Sequence, residues 1–139
     1  MILTFVQGFE RLRLVGYLPT PNDRPTAGWG HTGSDVQLGV TYPLSQAQTW
    51  WTDDTNAFTN GLNTALYMIP TTQGQFDALF SFAYNIGLAA LKGSTLFIRH
   101  KLGQYQLAAA EFPKWDHQAG QVLPGLLRRR CAEQKIYTS

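Results

Sequence analysis

Residues 16–33, GYLPTPNDRPTAGWGHTG, hold three prolines and four glycines in eighteen positions. Proline lacks an amide donor and glycine loses entropy in a helix, so this stretch is not a helix interior. It reads instead as turns and short alternating strand pieces. A small sheet is therefore expected over about residues 16–40. The same stretch carries Asp23, Thr26, His31 and Thr32, and it follows closely on Glu10.

The flanking chain reads as helix. Ile2, Phe5, Val6 and Phe9 keep i, i+3, i+4, i+7 spacing, which predicts a short amphipathic helix with Glu10 at its end. Ser45 with Gln48, and Thr72 with Gln75, match the capping-box pattern, so helices are expected to open at each, the first closed by Pro70. Phe76, Leu79, Phe80 and Ala83 give the second helix one apolar face, and Gly87 suits its C-terminal cap. Ser94 or Thr95 caps the next helix, QYQLAAAEF forms another before Pro113, and Pro124 opens the last. The expected class is α+β, mostly α, with residues 1–139 as a single domain.

With 139 residues, 44% of them apolar and 14% charged, the chain can bury a sizeable core. The net charge of +2 favours an anionic surface as partner without choosing among wall, nucleic acid and lipid head groups. Arg128, Arg129 and Arg130 read as a solvated helix face rather than a binding patch, and Glu133 as a helical ion pair with Arg129. Glu111 reads as solvated. Cys131 is the sole cysteine, which rules out an intramolecular disulfide, and it is expected half-buried. His31, His100 and His117 are too scattered to seed a zinc site. Met1–Phe9 is too short an uncharged run for a membrane span and has no basic residues before it, so no signal peptide is expected.

Glu10 is the carboxyl best placed for chemistry. Burial against aromatic neighbours disfavours an ionised carboxyl, which suits a general acid; a plain surface glutamate is the alternative. Glycoside hydrolysis needs a second carboxyl across the sugar. Asp23 is the only aspartate between Glu10 and TAGWGHTG, with Thr26 three residues on; a turn residue after Asn22 is its other reading.

FERLRLVGY and PTAGWGHTG, followed in order by YPLSQAQTWWTDD, FDALFSFAYNIG, STLFIRHKLGQYQLAAAEFPKW and GLLRRRCAE, resemble the phage-type lysozyme (endolysin muramidase, T4-lysozyme-like) family over nearly the whole chain. The resemblance implies the lysozyme fold and hydrolysis of the β-1,4 bond between N-acetylmuramic acid and N-acetylglucosamine in peptidoglycan. It implies Glu10 as catalytic acid, Thr26 as the water-positioning threonine and His31 as a structural histidine of the hairpin. Thr32, Tyr84 and Thr95 are then candidates to line a substrate cleft between hairpin and helical lobe, with a core place for Tyr84 and a cap for Thr95 as alternatives. No cofactor or metal is implied. The expected setting is a monomer acting on murein, with neither nucleic acid nor stable membrane insertion. It would be made in the host cytoplasm and released to the periplasm by a holin. One departure stands out: the family aspartate, nine residues after the glutamate, is Pro19 here, and Glu10 lies one residue further than usual from Thr26. Asp23 is the candidate substitute. A binding or virion module with lost catalysis, and a lytic transglycosylase using Glu10 alone, are the competing readings.

Overall fold

The computed structural model describes residues 2–118 and 120–139, which fall into two compact units, Met1–Ala57 and Phe58–Ser139. In the first unit, helix α1 (Ile2–Phe9) leads into strand β1 (Arg13–Tyr17). Val6 of the expected apolar stripe is fully buried, Ile2 and Phe5 are half-buried, and Phe9 is 37% exposed. Strands β2 (Thr26–Gly28) and β3 (His31–Thr32) complete an antiparallel sheet in the order β1-β2-β3. It lies where the glycine–proline stretch predicts it, but starts three residues earlier.

The other edge of β1 is tied to the chain at 39–42. The Gly16 amide donates to the Val40 carbonyl, and the Tyr42 amide donates to Leu14. Gly16 is required by this close approach, since a Cβ there would lie 2.0 Å from the Gln37 carbonyl oxygen. Ala27, Val36 and Trp50 form the local core, with Tyr42 packed against it.

Helix α2 (Leu44–Ala65) begins in the first unit and ends in the second. The Ser45–Gln48 box does not open it: Gln46 and Ala47 donate to the Pro43 carbonyl, so Pro43 holds the cap position and Ser45 is already inside the helix. Nor does Pro70 close it. The helix stops at Ala65 and the chain turns through Met68, whose φ of 63° is the left-handed conformation that ends helices.

In the second unit, helix α3 (Gln73–Ile86) is the core element. Its capping box is formed as expected, with Thr72 accepting from the Gln75 amide and the Gln75 side chain accepting from the Thr72 amide. Gly87 caps its end at φ 95°. Ala78, Leu79, Phe80, Ser81, Phe82 and Ala83 are all buried, so burial extends well past the single apolar face. Gly87 also starts helix α4 (Leu88–Gly93), which the periodicity does not announce. Helices α5 (Thr95–Lys101), α6 (Tyr105–Glu111) and α7 (Pro124–Tyr137) follow, with a 3-10 turn over Phe112–Lys114 and a two-stranded pair, β4 (His117–Gln118) and β5 (Gln121–Val122). Of the two possible caps of α5, Ser94 is the one, accepting from the Phe97 amide; Thr95 is an exposed first-turn residue.

Helix α7 overturns three expectations. Arg129 and Arg130 are buried rather than solvated, and only Arg128 of the run is exposed. Glu133 is fully buried between them, so its pairing is no weak surface contact. Arg129 Nε lies 3.1 Å from Glu133 Oε1, and Arg130 Nε 2.9 Å from Oε2. Cys131, expected half-buried, is exposed because the inward face of α7 is occupied by Arg130, Glu133 and Tyr137. Glu111 is also less solvated than expected, with 16% of its side chain exposed and Lys114 Nζ at 3.0 Å.

Candidate active site

Glu10 closes the last turn of α1: its amide donates to the Val6 carbonyl at 2.9 Å, and the residue is half-buried. Three residues later β1 begins. Glu10 thus sits in the short connection between α1 and β1.

Strand β2 carries Thr26, which is only 3% exposed. Its hydroxyl donates to the Arg24 carbonyl at 2.9 Å, leaving oxygen lone pairs for any further partner. The register sets Thr26 opposite Tyr17 on one side and opposite Thr32 on the other. Thr32 is exposed.

Asp23 lies in the loop between β1 and β2. A turn closes there, with the Asp23 amide donating to the Thr20 carbonyl at 3.0 Å and the Thr20 hydroxyl donating to Asp23 Oδ2 at 2.9 Å. The residue is exposed. Glu10 and Asp23 both act on the phenol of Tyr17. Burial is the largest influence and raises the Tyr17 pKa, the Arg13 charge lowers it, and the Glu10 and Asp23 charges raise it further. Sequence reasoning missed Tyr17, because the β1–β2 register that sets it opposite Thr26 shifts between Arg13 and Tyr17 and cannot be read from the alternation of RLVGY.

The opposite face of the sheet is a clamp. Ala27 pairs with His31 across β2 and β3. His31 stacks on Trp50, while its Nδ1 lies 2.7 Å from Asp54 Oδ2 and its Nε2 3.0 Å from Asp35 Oδ1. Trp50 Nε1 donates to Asp35 Oδ2 at 2.8 Å. The two carboxylates respond in opposite senses. Burial disfavours ionisation of both; at Asp54 it prevails and raises the pKa, despite His31. At Asp35 the hydrogen bonds from His31 and Trp50 outweigh it and the pKa is lowered. Trp29, at the β2–β3 turn, meets Trp51 of α2 with ring centroids 5.9 Å apart.

Tyr84 and Thr95 belong to the second unit. Tyr84 is half-buried on α3, its ring 5.2 Å from that of Phe58 and 6.3 Å from that of Phe80. Thr95 is exposed. Among the described residues, no group of three or more histidine, cysteine, aspartate or glutamate side chains could hold a metal ion, and no helix is long and apolar enough to cross a membrane.

Residues 7–133 match the family described as phage lysozyme. The chain belongs to that family.

The endolysin of Bacillus phage PZA is 43% identical over 138 residues, covering 99% of this chain and 53% of that protein. The endolysin of Acyrthosiphon pisum secondary endosymbiont phage 1 is 36% identical, covering 99% of this chain and 94% of its own. Among solved structures, the muramidase domain of SpmX from Asticaccaulis excentricus superposes with a TM-score of 0.85 at 30% identity, covering 99% of this chain and 95% of that one. The chain spans about half the length of the two Bacillus phage endolysins it matches, 53% and 51%. The fold is the lysozyme fold, α+β and mostly helical. In this phage lysozyme His31 ties one face of the sheet to Trp50, and Tyr17, Thr26 and Thr32 lie in register across its three strands.

Proposed function

We propose that this phage lysozyme is a muramidase that hydrolyses the β-1,4 bond between N-acetylmuramic acid and N-acetylglucosamine in peptidoglycan. In this reading residues 1–139 act as one muramidase domain. Protonated Glu10 donates to the glycosidic oxygen while Asp23 takes a proton from a water held at Thr26. The water oxygen bonds to the anomeric carbon as the bond to the leaving sugar breaks. Attack from the opposite face inverts that centre, and such an arrangement needs carboxyls roughly 6.5–9.5 Å apart. Thr32, Tyr84 and Thr95 are the residues assigned to substrate contact, and His31 holds the hairpin without transferring protons.

One observation carries this reading: Tyr17, paired with Thr26, lies within the field of both Glu10 and Asp23. Both carboxylates therefore act electrostatically on the residue that sits opposite the proposed water-binding hydroxyl. The proposed setting is a monomeric endolysin, made in the host cytoplasm and reaching the wall after holin release.

The test is clearing of purified, outer-membrane-stripped cell walls. Glu10→Gln cannot supply the proton and should abolish clearing, and Asp23→Asn should cost about 10²–10⁴-fold for loss of a general base. Near wild-type activity in either variant removes that residue from the mechanism. Reducing-end products with inverted configuration are expected; anhydro-muramic ends would instead mark a transglycosylase. Pro19, in place of the family aspartate, favours a second reading as a murein-binding module. Wall binding without clearing by the wild-type protein would select it.

A further inference from the structure

Thr26 is the residue assigned to hold the attacking water, but its own proton is committed to the Arg24 carbonyl. It can therefore only accept from that water. Asp23, as the base, also only accepts. A water that donates one hydrogen to each keeps two lone pairs. One must face the anomeric carbon, and the other needs a donor to fix the molecule's orientation.

The sheet supplies that donor. Directly opposed residues of antiparallel strands project to the same face, about 4.5–5.5 Å apart. The pairs Tyr17–Thr26 and Thr26–Thr32 therefore form one row across the three strands. Ala27 and His31, one residue out of step, face the other way toward Trp50. The Tyr17 ring is held in place: the Arg13 guanidinium carbon sits 3.9 Å from its centroid, a cation–π contact along the strand. Arg13 itself pairs with Gly28 at the far end of β2. Tyr17 is half-buried, and the nearby carboxylates Glu10 and Asp23 disfavour its phenolate, so its O–H stays intact as a donor.

We infer that Tyr17 is a positioning residue of this site: its hydroxyl, fixed by the Arg13 stack, donates to the attacking water that Thr26 and Asp23 hold. The inference rests on the roles given above to Glu10, Asp23 and Thr26. It makes Tyr17 part of the water-holding side rather than a sugar contact, and so assigns its effect to kcat.

The test measures turnover of a soluble murein oligosaccharide. Tyr17→Phe keeps the ring and the Arg13 stack and removes only the donor. Its kcat should fall about 10-fold, the loss of one hydrogen bond made to the reacting water, with KM within about twofold and an unchanged thermal midpoint. Arg13→Gln keeps the hydroxyl but releases the ring, and should lower kcat about threefold; it carries the test if Tyr17→Phe fails to fold. A Tyr17→Phe kcat within about twofold of wild type, or a raised KM with kcat unchanged, overturns the inference. Glu10→Gln assayed in parallel separates the two levels. An active Glu10→Gln overturns the underlying mechanism, whereas an inactive one beside a fully active Tyr17→Phe overturns only the role of Tyr17. A wild-type protein with no turnover overturns both.

Discussion

His31 lies flat on Trp50, their ring centroids 4.5 Å apart and their planes 9° from parallel. The stack joins strand β3 to helix α2, and each ring also anchors a carboxylate: His31 reaches Asp54 and Asp35, and Trp50 reaches Asp35. His31→Phe keeps the stack and removes both carboxylate contacts. It should cost about 2–3 kcal/mol, chiefly through stranding the partly buried Asp54. Trp50→Phe loses one bond to the more exposed Asp35 and should cost about 1 kcal/mol. Urea unfolding of the two variants checks the order. A larger loss in Trp50→Phe would place the energy in the indole packing instead.

A second prediction concerns charge in the core. The Ser81 hydroxyl donates to Glu133 Oε1 at 2.6 Å, Arg129 Nη2 donates to the Ser81 carbonyl at 3.0 Å, and Arg130 covers the Phe82 ring at 4.7 Å. Burial pushes the Glu133 carboxyl up, against both guanidiniums and the serine. Removing the carboxylate leaves two buried cations short of a counter-charge. Glu133→Ala should therefore cost about 3–5 kcal/mol. Ser81→Ala removes the bond to Glu133 and a longer one accepted from Arg129 Nη2 at 3.4 Å, and should cost about 1.5–3 kcal/mol. Chemical denaturation measures both, and a loss below about 1 kcal/mol in Glu133→Ala would contradict the triad's role.

These cases show where the sequence was informative. The Thr72–Gln75 box and the Gly87 stop are local devices, complete within a few residues, and they are formed as read. Ser45–Gln48 fits the same pattern but fails, because Pro43 supplies the cap two residues sooner. The buried charges of α7 carried a usable signal, since Arg130, Glu133 and Tyr137 keep helical spacing. Charged types suggested solvent, and the partner that settles their burial, Ser81, lies 52 residues before Glu133. For the candidate site, the resemblance named Glu10 and Thr26 and gave His31 a structural role, and the contacts of His31 with Asp54, Asp35 and Trp50 are those of such a residue. Tyr17 needed the strand register, which the loop from Leu18 to Pro25 conceals. Asp35 and Asp54 were hidden for a similar reason: only the folded hairpin brings them to the two nitrogens of His31.

The core of α3 gives a third expectation. Phe80 is 2% exposed, and truncating it leaves a cavity beside the Tyr84 ring in the buried core. Phe80→Ala should lose about 3–5 kcal/mol. A thermal midpoint near wild type would require the helix to repack around the gap.

Gly16 provides a backbone test. The atom that a Cβ would strike, the Gln37 carbonyl oxygen at 2.0 Å, is main chain and cannot swing aside. Gly16→Ala must therefore displace the 37–40 segment or β1, breaking the Gly16–Val40 and Gly39–Gly16 bonds of 2.9 Å each. A loss of about 2 kcal/mol or more is expected, at the upper end for a substitution at a close approach. Faster amide exchange at Gly16 and Gly39 would locate the damage. Gly61→Ala is the contrast, because its Cβ would meet the Leu88 Cδ1 methyl at 2.4 Å, and that side chain can move.

The last prediction is a pH dependence set by His100. Its ring is fully buried, with Nδ1 2.6 Å from the Tyr137 hydroxyl and Nε2 2.9 Å from Thr71 Oγ1. Burial lowers its pKa from 6.5, so the folded protein binds this proton less readily than the unfolded chain does. The stabilisation is therefore fully present above pH 6.5 and is lost as the pH falls from there through the lowered folded value. Asp35 has its pKa lowered from 3.8, so its contribution holds above that value and fades only in stronger acid, outside this window. Urea midpoints measured from pH 7.5 to 5.5 should fall for the wild-type protein. His100→Gln keeps polar atoms in the pocket but cannot titrate, and should cost about 1–2 kcal/mol at pH 7.5 for weakened hydrogen bonds. Its curve should be the flatter of the two, so the difference between them should shrink toward acid. Parallel curves would mean that the ring takes up its proton inside the folded core without penalty, which a site of this burial does not allow.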